Sequence, residues 1–204
     1  MSTITGIEES RGMVSIYADG TLALKLRRAH FAQCPLHEGD AFDPDDYTGR
    51  VAALQFRDAY EAALSCLDRS DRTEKQLSDA LRRRGYVAPV IEAVIQRLRE
   101  NRLLDDARYA SRLAELQSGK PVGVYAFKRK LRARGVSEAD AEAALEAFDD
   151  AQQQSACLEA AQRLYRKYEA LPVREGRAKL SQALARRGFG WDAVEGVVDQ
   201  LFSD

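Results

Sequence analysis

Three stretches of this chain share one plan: a short apolar helix pattern, a run of basic residues, then a glycine followed by a large apolar residue. They are Leu77 to Tyr86, Phe127 to Val136 and Leu180 to Phe189, and their glycines, Gly85, Gly135 and Gly188, lie 50 and 53 residues apart. The same offsets from each glycine are apolar. Four residues before stand Leu81, Leu131 and Leu184; eight before, Leu77, Phe127 and Leu180; thirteen after, Leu98, Phe148 and Leu201. Self-similarity at a near-constant period is the mark of one supersecondary unit copied in tandem. The pattern predicts a mainly α protein in which three three-helix repeats form an elongated array. Such an array offers extended surface and few deep clefts, so it suits a long partner better than a small substrate.

The bulk properties narrow the function classes. With 204 residues, 45% hydrophobic and 31% charged, the chain belongs among ordinary folded proteins. No apolar run approaches the ~20 residues that cross a bilayer. Residues 1–9 lack the basic start and apolar stretch of a secretory signal. Cys34, Cys66 and Cys157 are odd in number and far apart, which argues for a reducing compartment. The expectation is a cytoplasmic protein. A net charge of −1 gives the whole molecule no attraction for nucleic acid, so any polyanion contact must be local.

The expected division is a small β region at 1–43, then repeats at 44–104, 105–149 and 150–204. In the β region, Val14 and Ile16 alternate on one side of Asp19-Gly20, and Leu22, Leu24 and Leu26 on the other. That is a hairpin pattern around a turn dipeptide that tolerates positive φ. Phe31 to Leu36 and Gly39 to Phe42 are candidates for further sheet edges. So small a sheet must lean on the helices that follow. Asp43-Pro44-Asp45-Asp46 starts a helix, with Asp43 as cap and Pro44 in the first turn. Val51, Leu54, Ala63, Leu64 and Leu67 form its expected apolar stripe. Thr73 to Gln76 is a capping box. Pro89 opens the next helix. In the second repeat helices are expected from about Asp105 to Gln117, from Pro121 to the glycine, and after Ser137. In the third they run from about Asp150 to Ala170, from Pro172 to Arg187, and beyond Gly188.

The basic clusters are the main candidates for contact with a partner: Arg82, Arg83 and Arg84; Lys128, Arg129, Lys130, Arg132 and Arg134; Arg186 and Arg187. Repeated along an array they would form a track for a polyanion or an acidic protein face. Cations in a last helical turn also complement the negative end of the helix dipole. That alternative covers Arg186 and Arg187 best, and Lys128 to Lys130 least, because these sit far from the helix end. Paired helices around a glycine turn suggest helix-turn-helix readers. Base-reading positions, however, hold Ala88, Pro89 and Val90, or Ser137, Glu138 and Ala139, or Gly190, Trp191 and Asp192, which are poorly suited to base edges.

Signs of catalysis are few. His30, Cys34 and His37 supply three potential metal ligands without a fourth; solvent-facing histidines and a core cysteine are the simpler expectation, and no metal site is assigned. No phosphate-cradling glycine loop with a Lys-Ser/Thr tail is present. Asp105-Asp106 reads as a helix start rather than an acid–base pair. No catalytic residue and no cofactor are assigned.

The string Leu103-Leu104-Asp105-Asp106-Ala107-Arg108-Tyr109-Ala110 resembles the signature of the RecX family of recombination regulators. Arg72 to Leu77, with Leu81 through Gly85-Tyr86, resembles that family's first repeat. Lys120, Gly123, Leu131, Arg134, Gly135 and Val136 resemble its second. The likeness is close over 58–148 and looser over 150–202; residues 1–57 resemble only a variable β extension. Asp71 stands where the family often has proline, and Gln152 to Gln154 is not diagnostic. The resemblance implies tandem three-helix repeats without catalysis, binding to the RecA recombinase along its filament on single-stranded DNA, loss of filament growth and activity, and some DNA binding. Leu104, Asp105, Asp106, Arg108 and Tyr109 are read as an architectural signature. A sequence-tolerant binder of single-stranded DNA acting directly is the alternative. A lack of aromatics among the basic residues counts against it. A monomer is expected.

Overall fold

The structure is a computed structural model describing residues 2–117 and 120–202. Its elements divide between two compact units, Met1–Asp105 and Asp106–Asp204.

The first unit begins with three antiparallel strands, β1 (Ser2–Ser10), β2 (Met13–Ala18) and β3 (Thr21–Arg27). A two-residue strand, β4 (Ala41–Phe42), pairs with the start of β1 and gives the order β3-β2-β1-β4. Both hairpin turns are two residues long. Arg11-Gly12 and Asp19-Gly20 all have positive φ, between 49° and 78°, the conformation that matches the twist of two-residue hairpins. The Asp19-Gly20 hairpin and the edge at Phe42 agree with the sequence pattern. Strand β1 and its Arg11-Gly12 turn carry a weaker signal. Phe31 to Leu36 is not a strand: α1 (Arg28–Phe31) makes one helical turn and the chain continues irregularly.

Helix α2 (Pro44–Arg69) starts as expected, with the Asp43 carboxylate accepting from the amides of Asp45 and Asp46. Its buried face differs from the expected stripe. Tyr47, Val51, Gln55, Ala59, Ala63 and Cys66 are buried, whereas Leu54 is 39% exposed and Leu64 and Leu67 are half-covered. The inward positions recur every three or four residues, with large side chains at Tyr47 and Gln55 and small ones at Ala59, Ala63 and Cys66. Helices α3 (Glu74–Arg83) and α4 (Ala88–Glu100) complete the unit. The Thr73–Gln76 capping box is formed in both directions, each bond 3.2 Å. Sheet and helices share one core, from Ile4, Val14 and Phe42 to Leu77, Leu98 and Leu104. The sheet does lean on the helices.

The second unit holds two further cores. Helices α5 (Asp106–Gln117), α6 (Val124–Ala133) and α7 (Glu138–Leu145) enclose Ala110, Ala114, Phe127, Leu131 and Val136. Helices α8 (Asp150–Tyr165), α9 (Val173–Arg186) and α10 (Trp191–Phe202) enclose Cys157, Leu180, Leu184, Phe189 and Val197. Burial of the Cys157 thiol raises its pKa to about 11. Pro121 precedes α6 rather than opening it, and Gly123 is the cap. Helix α8 stops at Tyr165, and turns continue to Ala170.

The repeat is physical as well as textual. Gly85, Gly135 and Gly188 have φ of 80°, 92° and 84°. In each copy the amide after the glycine returns to the leucine carbonyl four residues before it: Tyr86 to Leu81, Val136 to Leu131, Phe189 to Leu184, at 3.1 to 3.3 Å. This is the left-handed helix stop with its apolar clasp. Tyr86, Val136 and Phe189 are all buried, as are the apolar residues four and eight before each glycine. At thirteen after, Leu98 is buried but Phe148 and Leu201 are half-covered, because Phe148 lies beyond the end of α7 and Leu201 in the last turn of α10.

One buried side chain clamps the first of these turns. Gln55, fully buried, accepts from the Val87 amide at 2.8 Å and donates to the Gly85 carbonyl at 3.1 Å. Its amide nitrogen also faces His30 Nδ1 at 3.4 Å, while His30 Nε2 meets Asp58 at 3.2 Å. Gln55→Leu keeps the volume but strands two buried backbone groups. Urea unfolding should show a loss of about 2–4 kcal/mol, and a loss below half that range would mean the turn holds without the clamp.

Candidate functional site

The predicted cations lie at the glycine stops and in the last turns of α3, α6 and α9, except Lys128 and Arg129, which stand in the middle of α6. They divide by what they touch. Arg84 is half-buried and donates to the Ala62 carbonyl of α2 at 3.2 Å, which stitches the turn to that helix. Arg187 donates back to the Ala183 carbonyl of its own helix, the dipole-complementing role expected of it. Arg82 pairs with Asp79 at 2.8 Å.

The middle cluster is the most engaged. Lys128 reaches Glu138 at 2.5 Å and Glu142 at 2.9 Å, and its side chain is only 18% exposed. Arg132 binds Glu138 through two nitrogens. The Arg132 hydrogen bonds, then those from Lys128, hold the Glu138 carboxyl down at about 2. These bonds also raise the Lys128 and Arg132 pKa values. Distance from the helix end had seemed to leave Lys128 without a structural role. The acids that engage it come from α7, across the turn. Arg134 donates to the Tyr109 hydroxyl and lies over its ring, 5.8 Å from the centroid. A predicted contact residue and a signature residue therefore hold each other, locking α5 to the end of α6.

Arg129 has a different partner. Its guanidinium donates to the Arg186 carbonyl at 3.3 Å, at the C-terminal end of α9. It belongs to a joint between the two repeats of this unit. The amide of Gly123 points to the Arg187 carbonyl, that of Tyr125 to the Gly188 carbonyl, and that of Val124 to the Gln153 side chain. The amino end of α6 is thus capped by the carboxyl end of α9, opposite dipole ends meeting. The approach is so close that a Cβ on Gly123 would lie 2.1 Å from Gly188 carbonyl carbon, and one on Gly188 2.1 Å from the Ala126 nitrogen.

What remains open to a partner is a smaller set. Arg83, Lys130 and Arg186 are exposed and make no ion pair among the described residues. Two aromatics are exposed in this part of the unit, Trp191 at 68% and Tyr125 at 57%; from the sequence, Trp191 is weighed only as a base-reading position and Tyr125 is not singled out. Gly190, next to Trp191, faces the Tyr125 ring. Tyr125 sits at the joint itself, its amide on the Gly188 carbonyl, while Trp191 opens α10 beside Arg177 and Ser181 of α9. In the signature, Leu104 is buried in the first unit's core, Asp106 lies in the first turn of α5 and is half-covered, and Asp105 and Arg108 are exposed.

The histidine and cysteine expectations hold for His37 and in part for Cys34, which packs partly buried against the core, and fail for His30. His30 is 1% exposed rather than solvent-facing, held by Asp58 and Gln55. Cys34 is half-exposed, with Arg50 at 3.6 Å from its sulfur; only His37 is open to solvent. Among the described residues no group of three or more His, Cys, Asp or Glu is placed to hold a metal ion, and no helix is long and apolar enough to cross a membrane.

Comparison with known proteins bears on this arrangement. Residues 59–98, 105–145 and 150–198 match the family models described as the RecX first, second and third three-helix domains. The regulatory protein RecX of Thermobifida fusca is 32% identical over 152 residues, covering 74% of this chain and 78% of that one. That of Levilactobacillus brevis is 30% identical over 195 residues, covering 94% and 73%. A crystal structure of regulatory protein RecX superposes with a TM-score of 0.68 at 26% identity, covering 98% of this chain and all of that one.

The Glu138 cluster makes a pH prediction. A carboxyl held at about 2 in the folded state, against 4.5 ordinarily, contributes stability that is fully present above pH 4.5. It is lost as pH falls through the window down to about 2, where the unfolded chain takes up the proton first. Glu138→Gln should lower the thermal midpoint at neutral pH and flatten its fall between those limits. An unchanged slope in the variant would show that the ion pairs are not formed in solution.

Proposed function

This chain belongs to the RecX family of regulatory proteins, and from that premise we propose that it regulates the RecA recombinase by binding it and its filament on single-stranded DNA, inhibiting filament growth and the activities that depend on it: recombination, ATP hydrolysis and co-proteolysis in the damage response. The match of three successive three-helix domains along 59–198 carries the reading. The protein works by occupancy rather than catalysis. Repeats at 44–104, 105–149 and 150–204 present similar turns along one chain, so several modest contacts act together at high effective concentration. We read it as a cytoplasmic monomer.

The contact residues proposed are the exposed members of the basic clusters, Arg83, Lys130 and Arg186, with Arg82 and Arg129 beside them. Lys128, Arg132, Arg134, Arg84 and Arg187 serve the turns from within. The variant Lys130→Glu/Arg186→Glu should lose inhibition of RecA ATP hydrolysis by roughly tenfold in potency while its circular dichroism stays as in the parent. Full inhibition by that variant would remove this face from the contact.

One observation favours direct contact with single-stranded DNA as a second reading: Tyr125 stands exposed at the joint where Arg129 meets the Arg186 carbonyl, and Trp191 is exposed at the start of α10; exposed aromatics beside cations are surfaces on which unpaired bases stack. Trp191 is the chain's single tryptophan, so its fluorescence reports this place alone. Quenching by single-stranded DNA without RecA, weakening steeply with salt, supports the second reading. Quenching by RecA filaments but not by bare strands supports the first.

A further inference from the structure

The first unit carries a surface that shares Arg82 and Arg83 with these contacts and is otherwise unused by them. Strand β3 is an edge: it pairs with β2 on one side, and among the described residues no strand pairs with the other. Beyond that open edge a groove of about 620 Å³ runs to the α3–α4 turn. Leu22, Leu24 and Met13 line one side, Tyr86 and Val87 the other. Cover thins along the strand: Leu26 is buried, Leu24 half-covered, and Leu22 57% exposed. The rim carries Lys25, Arg82 and Arg83 and no acid. Arg82 is engaged by Asp79; Lys25 and Arg83 make no ion pair among the described residues and face solvent.

We propose that this groove takes an extended acidic segment of the protein partner, added to β3 as a further strand. An open edge offers unused backbone donors and acceptors at the ladder spacing of about 4.8 Å. The apolar floor receives alternate side chains of the incoming segment, and the cations select acids among the rest. The register shift in the β2–β3 pairing near Leu22 and the lysine on the edge are devices that stop a sheet from pairing with its own copies. Here they act as selectivity, because a second copy would bring its own Lys25 and Arg83 against the first. Next to the groove the turn packs closely on the sheet: a Cβ on Gly85 would meet the Met13 side chain at 2.3 Å and the Arg27 amide nitrogen at 3.1 Å. The site therefore exists before the partner arrives, which lowers the cost of ordering.

The inference rests on the RecA-binding reading, and hydrogen exchange separates the two. The full chain is measured alone, with RecA filaments on single-stranded DNA, and with the same DNA alone. Amides of 21–27 should slow by roughly tenfold or more with RecA filaments and stay unchanged with DNA. Binding of RecA without protection at 21–27 overturns the groove and leaves the functional reading standing. Protection by DNA alone also overturns it, as a nucleic-acid site. No binding of RecA defeats both. As a second measurement, Leu22→Asp and Lys25→Glu/Arg83→Glu alter exposed side chains only, so the free chain should keep its exchange pattern. Each should weaken RecA binding by roughly tenfold; parent-like affinity in both counts against the groove.

Discussion

The structure depends on one hydrogen bond made three times. In each repeat a chain that has run as a helix must turn back within two residues, with its last carbonyls unsatisfied. A left-handed glycine resolves this by bringing the next amide under the leucine carbonyl five residues earlier in the chain: Tyr86 to Leu81, Val136 to Leu131, Phe189 to Leu184. The residue that donates is always large and apolar, so the bond and the burial of its side chain occur together. Replacing the glycine would strain the backbone. Replacing the apolar residue would leave the turn unanchored. The following helix then takes its direction from the turn, and the three-helix core closes around the leucine that accepted the bond.

The same turn explains why cations gather there and why they do different things. A helix end is negative, so arginine and lysine in the last turn are favoured before any partner is considered. Once present, some find better local partners. Lys128 and Arg132 meet acids at the start of α7, which are favoured at its positive end for the mirror reason. Arg134 finds Tyr109. Arg129 reaches a carbonyl of a different helix end. The basic run between Phe127 and Gly135 thus reads as a uniform patch in sequence and as several separate attachments in three dimensions. Arg83, Lys130 and Arg186 are exposed and make no ion pair among the described residues, so their charge remains available.

This is also the boundary between what could be read from the residues and what could not. The glycine stops, the Thr73 capping box, the Asp43 cap, the second hairpin and the apolar offsets are encoded within a few residues of where they act, and they are present as expected. The failures are long-range. The stripe on α2 agrees at Val51 and Ala63 but omits its centre, Gln55, a polar residue whose partners lie 30 and 32 residues away. His30 is buried because Gln55 and Asp58 receive it, again from a different element. The Gly123–Gly188 contact joins positions 65 residues apart, and no local periodicity reports it. Tyr125 is exposed at that contact and Trp191 at the start of α10, and nothing near either residue in the sequence marks it as outward-facing.

The two kinds of surface that result are complementary in their physics. Around the α6–α9 joint, the flat ring of Tyr125 lies near cations that the helix ends have partly claimed, a surface suited to planar or loosely ordered ligands. Along β3 the exposed features are backbone groups and a leucine row, bounded by cations, and these require a partner with a fixed extended conformation. A regulator that must recognise a filament has to distinguish an assembled polymer from its free components. If both proposed surfaces engage, contacts of unlike type would make that distinction, because neither component alone would satisfy both. Weak individual contacts then become an advantage: binding is appreciable only where the two ligand chemistries are held together at the spacing the polymer imposes.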